Sequence, residues 1–401
     1  MFRRANHAPF GAALALALMA ACTPDAAPPV APAPHAPVAT EIIADPGSLQ
    51  DFVSRAHAKY DVIALGAIVA SGDGTVDEAV AGYRTSKSED PALLTDTWHL
   101  GSNSKALTAL LYAQLVERGH AEWGATLPDL FPDLGDAIDP AWQSVTIEDL
   151  FAHRTGLAQK GGFWLNARRR DDRPVPEQRY AAAQAALAAP PRKDPGAFDY
   201  NNLNYIIAGS AIEQILQTQP DLPDTWEAAM QALLFDKLSH APDRSGFGFG
   251  PPQEGLEGHR SLFNGPANPV GRGKAADNPR VLGPAGTLHA TLSAHAALAI
   301  EFLREDSALM SPATREKLFA PYPDAESTYA MGWGISAHSD YGTMYLHNGS
   351  NTMWLSQIVI APDLDRVVIV NVNQFDDAAR AAVQDVTREV LAKADAEQQP
   401  Q

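Results

Sequence analysis

Cysteine is the scarcest residue in this 401-residue sequence, occurring once, at Cys22. A chain with a single thiol has no disulfide within itself to rely on. Basic residues are also few: 30 Lys and Arg stand against 48 Asp and Glu, which gives a formal net charge of −18 at pH 7. Because neither phosphate backbones nor anionic lipids attract such a surface, we expect no nucleic-acid partner.

Several binding and catalytic motifs are missing as well. The sequence has no His-Glu-x-x-His, and His289 and His295 lack a paired third ligand, so we expect no metal and no other cofactor. No serine lies in Gly-x-Ser-x-Gly, which argues against the nucleophile elbow of an α/β-hydrolase. The glycine-rich segments Gly246–Gly250 and Gly271–Lys274 do not have the spacing of dinucleotide or phosphate loops.

An apolar run, Phe10–Ala20, follows a short basic segment at the N-terminus. It is too short to remain in a bilayer as a spanning helix, and we interpret residues 1–21 as a signal peptide. Cys22 comes next and resembles the lipidated cysteine of bacterial lipoproteins, although a coincidental cysteine after an ordinary signal peptide is the alternative. Residues 22–40 are rich in Pro and Ala and predict an extended tether. We expect an extracytoplasmic protein on the periplasmic side, touching the membrane only through a lipid on Cys22.

Strand-like runs occupy both ends of the remaining chain. Near its start, Val62–Ala70 and Val76–Tyr83 flank the turn sequence Ser71–Gly74, which predicts a hairpin after a helix over Pro46–Ala58. Near its end, four β-rich runs precede a helix over Asp376–Lys393. Those runs are Tyr329–Ser336, Thr343–His347, Thr352–Ala361 and Val367–Asn373.

The segment between these ends has a helical character. It contains helix candidates at Tyr180–Ala189 and Leu203–Leu216, and a Gly- and Pro-rich stretch, Pro251–Pro284, that we interpret as a long surface excursion. We therefore predict an α+β fold in which N- and C-terminal strands form one antiparallel sheet, flanked by helices as an α/β/α sandwich, with an inserted all-helical domain. The predicted folded domain covers 41–395, with its α/β part at 41–119 and 321–395, a mainly helical insertion at 120–320, and a disordered tail at 396–401.

Ser102 and Lys105 stand where a helix begins that is apolar on nearly every side and ends at Arg118-Gly119. Side chains three residues apart share one helix face, and the positive end of the helix dipole stabilises a developing alkoxide. Burial lowers the pKa of a lysine, so Lys105 could accept the proton of Ser102. The Ser-x-x-Lys spacing is also a common accident, and its alternative is a polar cap on a core helix.

Two further motifs follow in order along the chain. Tyr200-Asn201-Asn202 places a tyrosine and an asparagine two apart before a helix, and His347-Asn348-Gly349 lies between late strands. With Ser102-x-x-Lys105, they resemble the signature of the serine β-lactamase and penicillin-binding-protein superfamily, specifically its class C, D-aminopeptidase and esterase branch. The resemblance covers about residues 45–392 and includes supporting segments at 150–157, 234–238, 283–290 and 331–334.

This resemblance implies a role for each matching residue. Ser102 would be the nucleophile that forms an acyl-enzyme, while Lys105 and Tyr200 would share the proton transfers, with the identity of the base left open. Asn202 would bind the lysine or a substrate amide. The backbone N–H groups of Ser102 and Ser350 would form the oxyanion hole, next to Gly349, which lets the substrate approach the strand.

His347 departs from the family's usual lysine. A histidine with an ordinary pKa near ~6.5 is mostly neutral at pH 7, which makes it a weaker partner for a substrate carboxylate, and it could also be structural. We therefore expect an exported serine hydrolase that acts on an ester or a cell-wall D-amino-acid peptide. The alternatives are a class C-type β-lactamase that hydrolyses β-lactams, and a non-catalytic lipoprotein that binds peptidoglycan fragments.

Overall fold

The computed structural model describes residues 47–238, 246–261 and 265–399. The predicted signal peptide, the lipidation of Cys22 and the tether lie outside the described residues and stay predictions. Among the helices of the described ranges, none is both long and apolar enough to cross a membrane.

Strands occur near both ends of the described chain and, as short pieces, in its middle. They are β1 (Ala64–Ser71), β2 (Gly74–Gly82), β3 (Thr97–His99), β4 (Phe247–Phe249), β5 (His259–Arg260), β6 (Asn268–Pro269), β7 (Leu288–Thr291), β8 (Gly334–His338), β9 (Gly342–Ser350), β10 (Leu355–Ala361) and β11 (Arg366–Val372).

Most of the helices lie between β2 and β8, and one helix lies near each end of the described chain. They are α1 (Leu49–Tyr60), α2 (Ser104–Glu117), α3 (Leu127–Leu130), α4 (Ile147–Phe151), α5 (Gly162–Arg169), α6 (Val175–Leu187), α7 (Asn202–Gln217), α8 (Trp226–Ala229), α9 (Gly283–Gly286), α10 (Leu292–Ile300), α11 (Pro312–Phe319) and α12 (Asp377–Gln398).

The central sheet has the strand order β2-β1-β11-β10-β9-β8, and every neighbouring pair is antiparallel. Its first two strands form the predicted hairpin, and the other four come from the C-terminal end of the chain. The register places Ile358 of β10 opposite His347 of β9 and opposite Ile369 of β11. This confirms the prediction of one antiparallel sheet assembled from both termini.

The sheet is buried on both faces, as the alternation of side chains along β11 demonstrates. Val368, Val370 and Val372 pack into a core with α1 and α12, whereas Val367 and Ile369 face the larger core that includes α2 and α10. Successive side chains of a strand point to opposite faces, so a strand apolar at every position requires helices on both sides. The α/β/α arrangement follows from this pattern.

The inserted segment differs from the prediction in two respects. It is mainly helical but not all-helical, because β7 pairs with both β3 and β4 in a small sheet, and β5 pairs with β6. Strands of two to four residues are too short to show a period in the sequence. The stretch Pro251–Pro284 also runs partly inside the protein, since Leu256, Asp277 and Val281 are buried.

Two boundaries near the C-terminus also differ from the prediction. The strand expected from Tyr329 begins only at Gly334, because the chain first turns, with the N–H of Ala330 donating to the carbonyl of Trp333. Residues 396–398 belong to α12 rather than to a disordered tail. Glu397 forms an ion pair of 3.1 Å with Arg366 there, which ties the last turn of the helix to β11.

Candidate active site

Ser102 lies in a 3₁₀ turn, Gly101–Asn103, that leads directly into α2. The hydroxyl of Ser104 donates to the carbonyl of Gly101 over 2.8 Å and fastens the turn to the first residue of the helix. All residues of α2 from Ser104 to Leu115 are buried, as expected for a helix that is apolar on all sides. The turn therefore places the partly exposed Ser102 just before a helix whose first twelve residues are buried.

Lys105 is buried and has three oxygen neighbours. Its Nζ lies 3.0 Å from Oγ of Ser102, 2.8 Å from Oδ1 of Asn202 and 2.7 Å from the carbonyl oxygen of Ala285. The last of these belongs to α9, and it was not predicted from the sequence, because a backbone carbonyl has no residue signature. The segment at 283–290 was singled out only for its resemblance to a family loop.

The environment of Lys105 favours the neutral amine and orients it. Burial lowers the pKa of Lys105 well below its usual value of 10.5. A neutral amine has two N–H bonds and one lone pair. The oxygens of Asn202 and Ala285 can only accept, so they take the two N–H bonds, and the lone pair faces the hydroxyl of Ser102, which can donate. The amine is thus arranged to receive the serine proton.

Tyr200 and Asn202 lie at the start of α7 and contact Ser102 and Lys105. Asn201 caps this helix, its side-chain oxygen accepting from the N–H of Leu203 over 3.0 Å. The cap holds Tyr200 just outside the helix and Asn202 as its first residue. The Tyr200 ring lies 4.9 Å from Nζ of Lys105 and its hydroxyl bonds with Ser102. Burial raises the pKa of Tyr200, and the bond with Ser102 opposes this shift without reversing it. Tyr200 is therefore a neutral phenol at pH 7.

His153 supports Tyr200 from behind. Its Nδ1 accepts from the N–H of Asn201 over 3.2 Å, and its ring lies 4.2 Å from the ring of Tyr200. Burial lowers the pKa of His153 well below its usual value, so this ring is an uncharged support. The contact agrees with a structural rather than a catalytic interpretation of the histidine in the segment at 150–157.

His347 faces the site from β9 and is buried. Its Nδ1 donates to the carbonyl of Asn348 over 3.0 Å, which leaves Nε2 to accept from the hydroxyl of Tyr329 at 3.2 Å. Burial lowers the pKa of His347 to about 3, and Lys105 acts in the same direction. The histidine is therefore neutral at pH 7, with both ring nitrogens bonded. Tyr329 was predicted only as part of a strand, and no motif pointed to this bond.

The end of β9 packs directly against the turn that carries Ser102. Gly101 has φ +52°, and a Cβ on it would meet the backbone nitrogen of Ser350 at 2.3 Å. A Cβ on Gly349 would meet the carbonyl oxygen of Leu100 at 1.9 Å and the nitrogen of Ser102 at 3.0 Å. Only glycine fits at either position, so the backbone nitrogens of Ser102 and Ser350 are brought to the same place.

The residues selected from the sequence thus converge, although they come from three distant parts of the chain. Ser102, Lys105, Tyr200, Asn202, His347, Gly349 and Ser350 share one site, and Cys22 lies outside the described residues. Within the described ranges, no group of three or more His, Cys, Asp or Glu side chains is arranged to hold a metal ion.

Comparisons with known proteins identify relatives of this chain. Penicillin-binding protein 4 of Amycolatopsis lactamdurans is 29% identical over 167 residues, which are 41% of this chain and 40% of that protein. The match therefore spans less than half of the relative's length. An octameric penicillin-binding protein homologue from Pyrococcus abyssi aligns with a TM-score of 0.66 and 20% identity, over 86% of this chain and 78% of the other.

D-amino acid amidase from Ochrobactrum anthropi SV3, in complex with L-phenylalanine amide, aligns with a TM-score of 0.67 and 15% identity, over 88% of this chain and 98% of the other. At such identities these two structures establish the fold alone. The model of the Beta-lactamase family, in contrast, matches the sequence itself over residues 49–392. A match of that extent shows that this protein belongs to the Beta-lactamase family of serine hydrolases.

Proposed function

We propose that this protein cleaves an ester or amide bond through an acyl-enzyme on Ser102, with neutral Lys105 as the base. The observation that carries the proposal is the set of three oxygens around Nζ of Lys105, two of which can only accept hydrogen bonds. That environment holds the lone pair of the amine against the hydroxyl of Ser102. It also favours Lys105 over Tyr200 as the base, because Tyr200 is a neutral phenol.

In the first step, Oγ of Ser102 attacks the substrate carbonyl carbon as its proton passes to Nζ of Lys105. The carbonyl π bond becomes an oxyanion, and the backbone N–H groups of Ser102 and Ser350 stabilise it. Such donors are placed before the reaction and stabilise charge that exists only in the transition state. The result is a tetrahedral intermediate next to an ammonium on Lys105.

The intermediate then collapses and the leaving group departs. The bond between the carbonyl carbon and the leaving oxygen or nitrogen breaks. The leaving group takes a proton from the hydroxyl of Tyr200, and Tyr200 regains a proton from Lys105. Lys105 is neutral again after this step. It can therefore accept a proton from water, which attacks the acyl-enzyme and releases Ser102 by the same steps in reverse order.

The uncharged side chains around His347 favour a substrate that places an uncharged group there. Both ring nitrogens of His347 form hydrogen bonds. The rings of Tyr200 and Tyr329 lie near the His347 ring, and the ring of Phe198 lies near that of Tyr329. A penicillin or cephalosporin would place its carboxylate near His347, which carries no charge at pH 7. We therefore favour simple esters and D-amino-acid amides or peptides over β-lactams, and the amidase whose fold is similar supports the second class.

Wild-type protein and Ser102→Ala test the proposal on three substrates: a nitrophenyl ester, a D-alanine nitroanilide and a chromogenic cephalosporin. We expect turnover of the ester or the anilide that Ser102→Ala abolishes, and little or no cephalosporin turnover. Ser210→Ala is the matched control, because Ser210 is a buried serine on α7 that has no part in the proposed chemistry. Its activity should equal that of the wild type.

A fluorophosphonate probe followed by peptide mass spectrometry locates the nucleophile directly. An adduct on Ser102 is expected, and an adduct on another residue would overturn the assignment. Probe-reactive protein that turns over only the cephalosporin would identify a β-lactamase. Failure of both turnover and labelling would favour the non-catalytic binding lipoprotein.

The proposal includes export and a lipid anchor, which the N-terminal sequence supports. Expression of the full chain and of Cys22→Ser in bacteria, followed by membrane fractionation, tests this part. The wild type should sediment with membranes and the variant should be released. Equal distribution of the two would refute lipidation at Cys22.

A further inference from the structure

Asp277 is a buried carboxylate that has no part in the chemistry proposed above. Its Oδ1 lies 2.7 Å from Nε2 of His99, and it accepts from Nδ2 of Asn351 over 3.0 Å and from the N–H of Asn278 over 2.6 Å. Burying a carboxylate is costly unless donors surround it. A functional role for this buried carboxylate is suggested by two of its partners, His99 and Asn351, which lie close in sequence to Ser102 and Ser350.

The first of these contacts leads to the turn that carries Ser102. Nδ1 of His99 accepts from the N–H of Gly101 over 3.1 Å. Because Nδ1 accepts, a neutral ring carries its proton on Nε2, the atom that faces Asp277. A continuous series of contacts therefore runs from the carboxylate through the imidazole to the residue immediately before the nucleophile.

The second contact leads to the end of β9. Asn351 directly follows Ser350, and its side chain is held at both ends. Its Nδ2 donates to Asp277, and its Oδ1 accepts from the N–H of Met353 over 3.2 Å. The backbone at Ser350 is thus fixed by a neighbour that cannot rotate without losing two hydrogen bonds.

We infer that Asp277 is a positioning residue that sets the separation of the two oxyanion-hole donors, the backbone N–H groups of Ser102 and Ser350. The inference rests on the proposed function. These donors come from the start of α2 and the end of β9, and one carboxylate oxygen holds the residue next to each of them through His99 and Asn351. The stretch Pro251–Pro284 turns inward at Asp277, which places this carboxylate between the two segments.

The role is geometric rather than electrostatic. A negative charge behind an oxyanion hole would oppose the oxyanion, but the N–H groups of Asn351 and Asn278 donate to Oδ1 of Asp277 and offset its charge, and Nε2 of His99 lies 2.7 Å from the same oxygen. An uncharged side chain with an oxygen in the same place should therefore serve nearly as well. Asp277→Asn provides that oxygen, and Asp277→Ala removes it.

Ester hydrolysis by these two variants and the wild type tests the inference. We expect Asp277→Ala to lower kcat by about 10- to 100-fold with KM changed less than about 3-fold, since a misplacement of about 1 Å can cost that much rate. Asp277→Asn should restore kcat to within about 5-fold of the wild type. Asp96→Asn is the matched control, because Asp96 is a buried carboxylate that is paired with Arg84 and has no part in the proposed chemistry.

A boronic acid provides a second measurement, because it forms a tetrahedral adduct with serine whose oxygen occupies the oxyanion hole. Its affinity should fall in Asp277→Ala by the same factor as kcat/KM. Asn351→Ala removes only one of the two contacts and should show an intermediate loss. Thermal unfolding followed by circular dichroism establishes that each variant is folded, and Asn351→Ala decides the matter if Asp277→Ala does not fold.

Three results would overturn the inference. One is a folded Asp277→Ala within about 3-fold of wild-type kcat/KM, and another is an Asn351→Ala that binds the boronic acid as tightly as the wild type. The third is an Asp277→Asn as impaired as Asp277→Ala, which would assign the role to charge. A wild type that neither turns over the ester nor reacts with the fluorophosphonate would refute the proposed function instead.

Discussion

Lys105 and Arg179 are both fully buried basic side chains, but they have opposite surroundings. Arg179 lies on α6 between two carboxylates: its Nη1 is 2.6 Å from Oε1 of Glu213, and its guanidinium also bonds with Glu227. Burial opposes the charge of Arg179, but Glu227 and Glu213 overcome it and raise its pKa. Lys105 is bonded to a hydroxyl, an amide oxygen and a carbonyl oxygen instead.

This difference between Lys105 and Arg179 shows that burial alone does not decide the charge of a side chain. A buried cation keeps its charge where carboxylates surround it and loses it where only neutral acceptors do. Arg179 thereby ties together α6, α7 and α8 as a structural ion cluster. Burial without a carboxylate partner favours the neutral amine of Lys105 beside Ser102, which is the form that can act as a base. Four predictions follow from the comparison, in order of expected effect.

Lys105→Met should remove the base and leave the nucleophile in place. We expect ester hydrolysis to fall by about 10²- to 10⁴-fold, the usual contribution of a general base. Lys59→Met is the matched control, because Lys59 is an exposed lysine on α1 that pairs with Asp385. Initial rates at pH 7 measure both. A Lys105→Met protein as active as Lys59→Met would show that Lys105 is not the base.

Arg179→Met should affect stability rather than chemistry. Removing the cation leaves the buried carboxylate of Glu213 facing that of the partly exposed Glu227, and we expect the free energy of unfolding to fall by about 3–5 kcal/mol. Urea denaturation followed by fluorescence measures this loss. The same substitution at Lys105 is the comparison, since it removes a desolvated amine and should not destabilise the protein. Equal losses in both variants would mean that the two cations are bound alike.

Asn202→Asp should give Lys105 the kind of neighbour that Arg179 has. A carboxylate at hydrogen-bond distance raises the pKa of a lysine by about 1–3 units, so more of the amine is protonated at pH 7. Ester hydrolysis needs the neutral amine, so the rate should fall by about 10- to 100-fold at pH 7 and recover as the pH rises. Asn202→Ala, which adds no charge, should keep the wild-type pH profile. An unshifted profile in Asn202→Asp would contradict the neutral-amine mechanism.

The smallest expected effect is on the pH dependence of stability, to which Lys105 and Arg179 should contribute differently. Below pH 10.5, the unfolded chain carries Lys105 protonated, while burial lowers the pKa of Lys105 in the folded protein, so that the amine is neutral there above the lowered pKa. The unfolded state then binds one more proton, so Lys105 makes stability rise with pH by about 1.4 kcal/mol per unit between the lowered pKa and 10.5. Arg179 is charged in both states and makes no such contribution.

Urea denaturation at pH 7, 8 and 9 tests this slope. The stability difference between wild type and Lys105→Met should change by that amount per unit, whereas the difference between wild type and Lys59→Met should stay constant. His153 and His347 do not affect the comparison, because burial keeps the pKa of each folded histidine below this pH range. Parallel curves for wild type and Lys105→Met would mean that Lys105 is protonated in the folded protein.

Much of the fold was predictable because its signals are local. The hairpin of β1 and β2 follows from two strand-like runs around a four-residue turn, and β9, β10 and β11 fall within a few residues of their predicted positions. The short strands β4 to β7 were not predicted, because they exist only through pairing with distant segments. The inward path at Asp277 escaped prediction for the same reason, since a Gly- and Pro-rich composition is typical of surface loops.

The sequence by itself determined that Ser102 and Lys105 lie close together and that the lysine is buried. Residues three apart near a helix start are neighbours whatever the rest of the fold, and a helix without a polar face must be surrounded. Only the tertiary structure decided what Lys105 does there. Asn202 and Ala285, 97 and 180 residues away, supply its acceptors, and Tyr329 completes the bonds of the neutral His347. Such contacts depend on how whole helices and strands pack, and no local pattern encodes them.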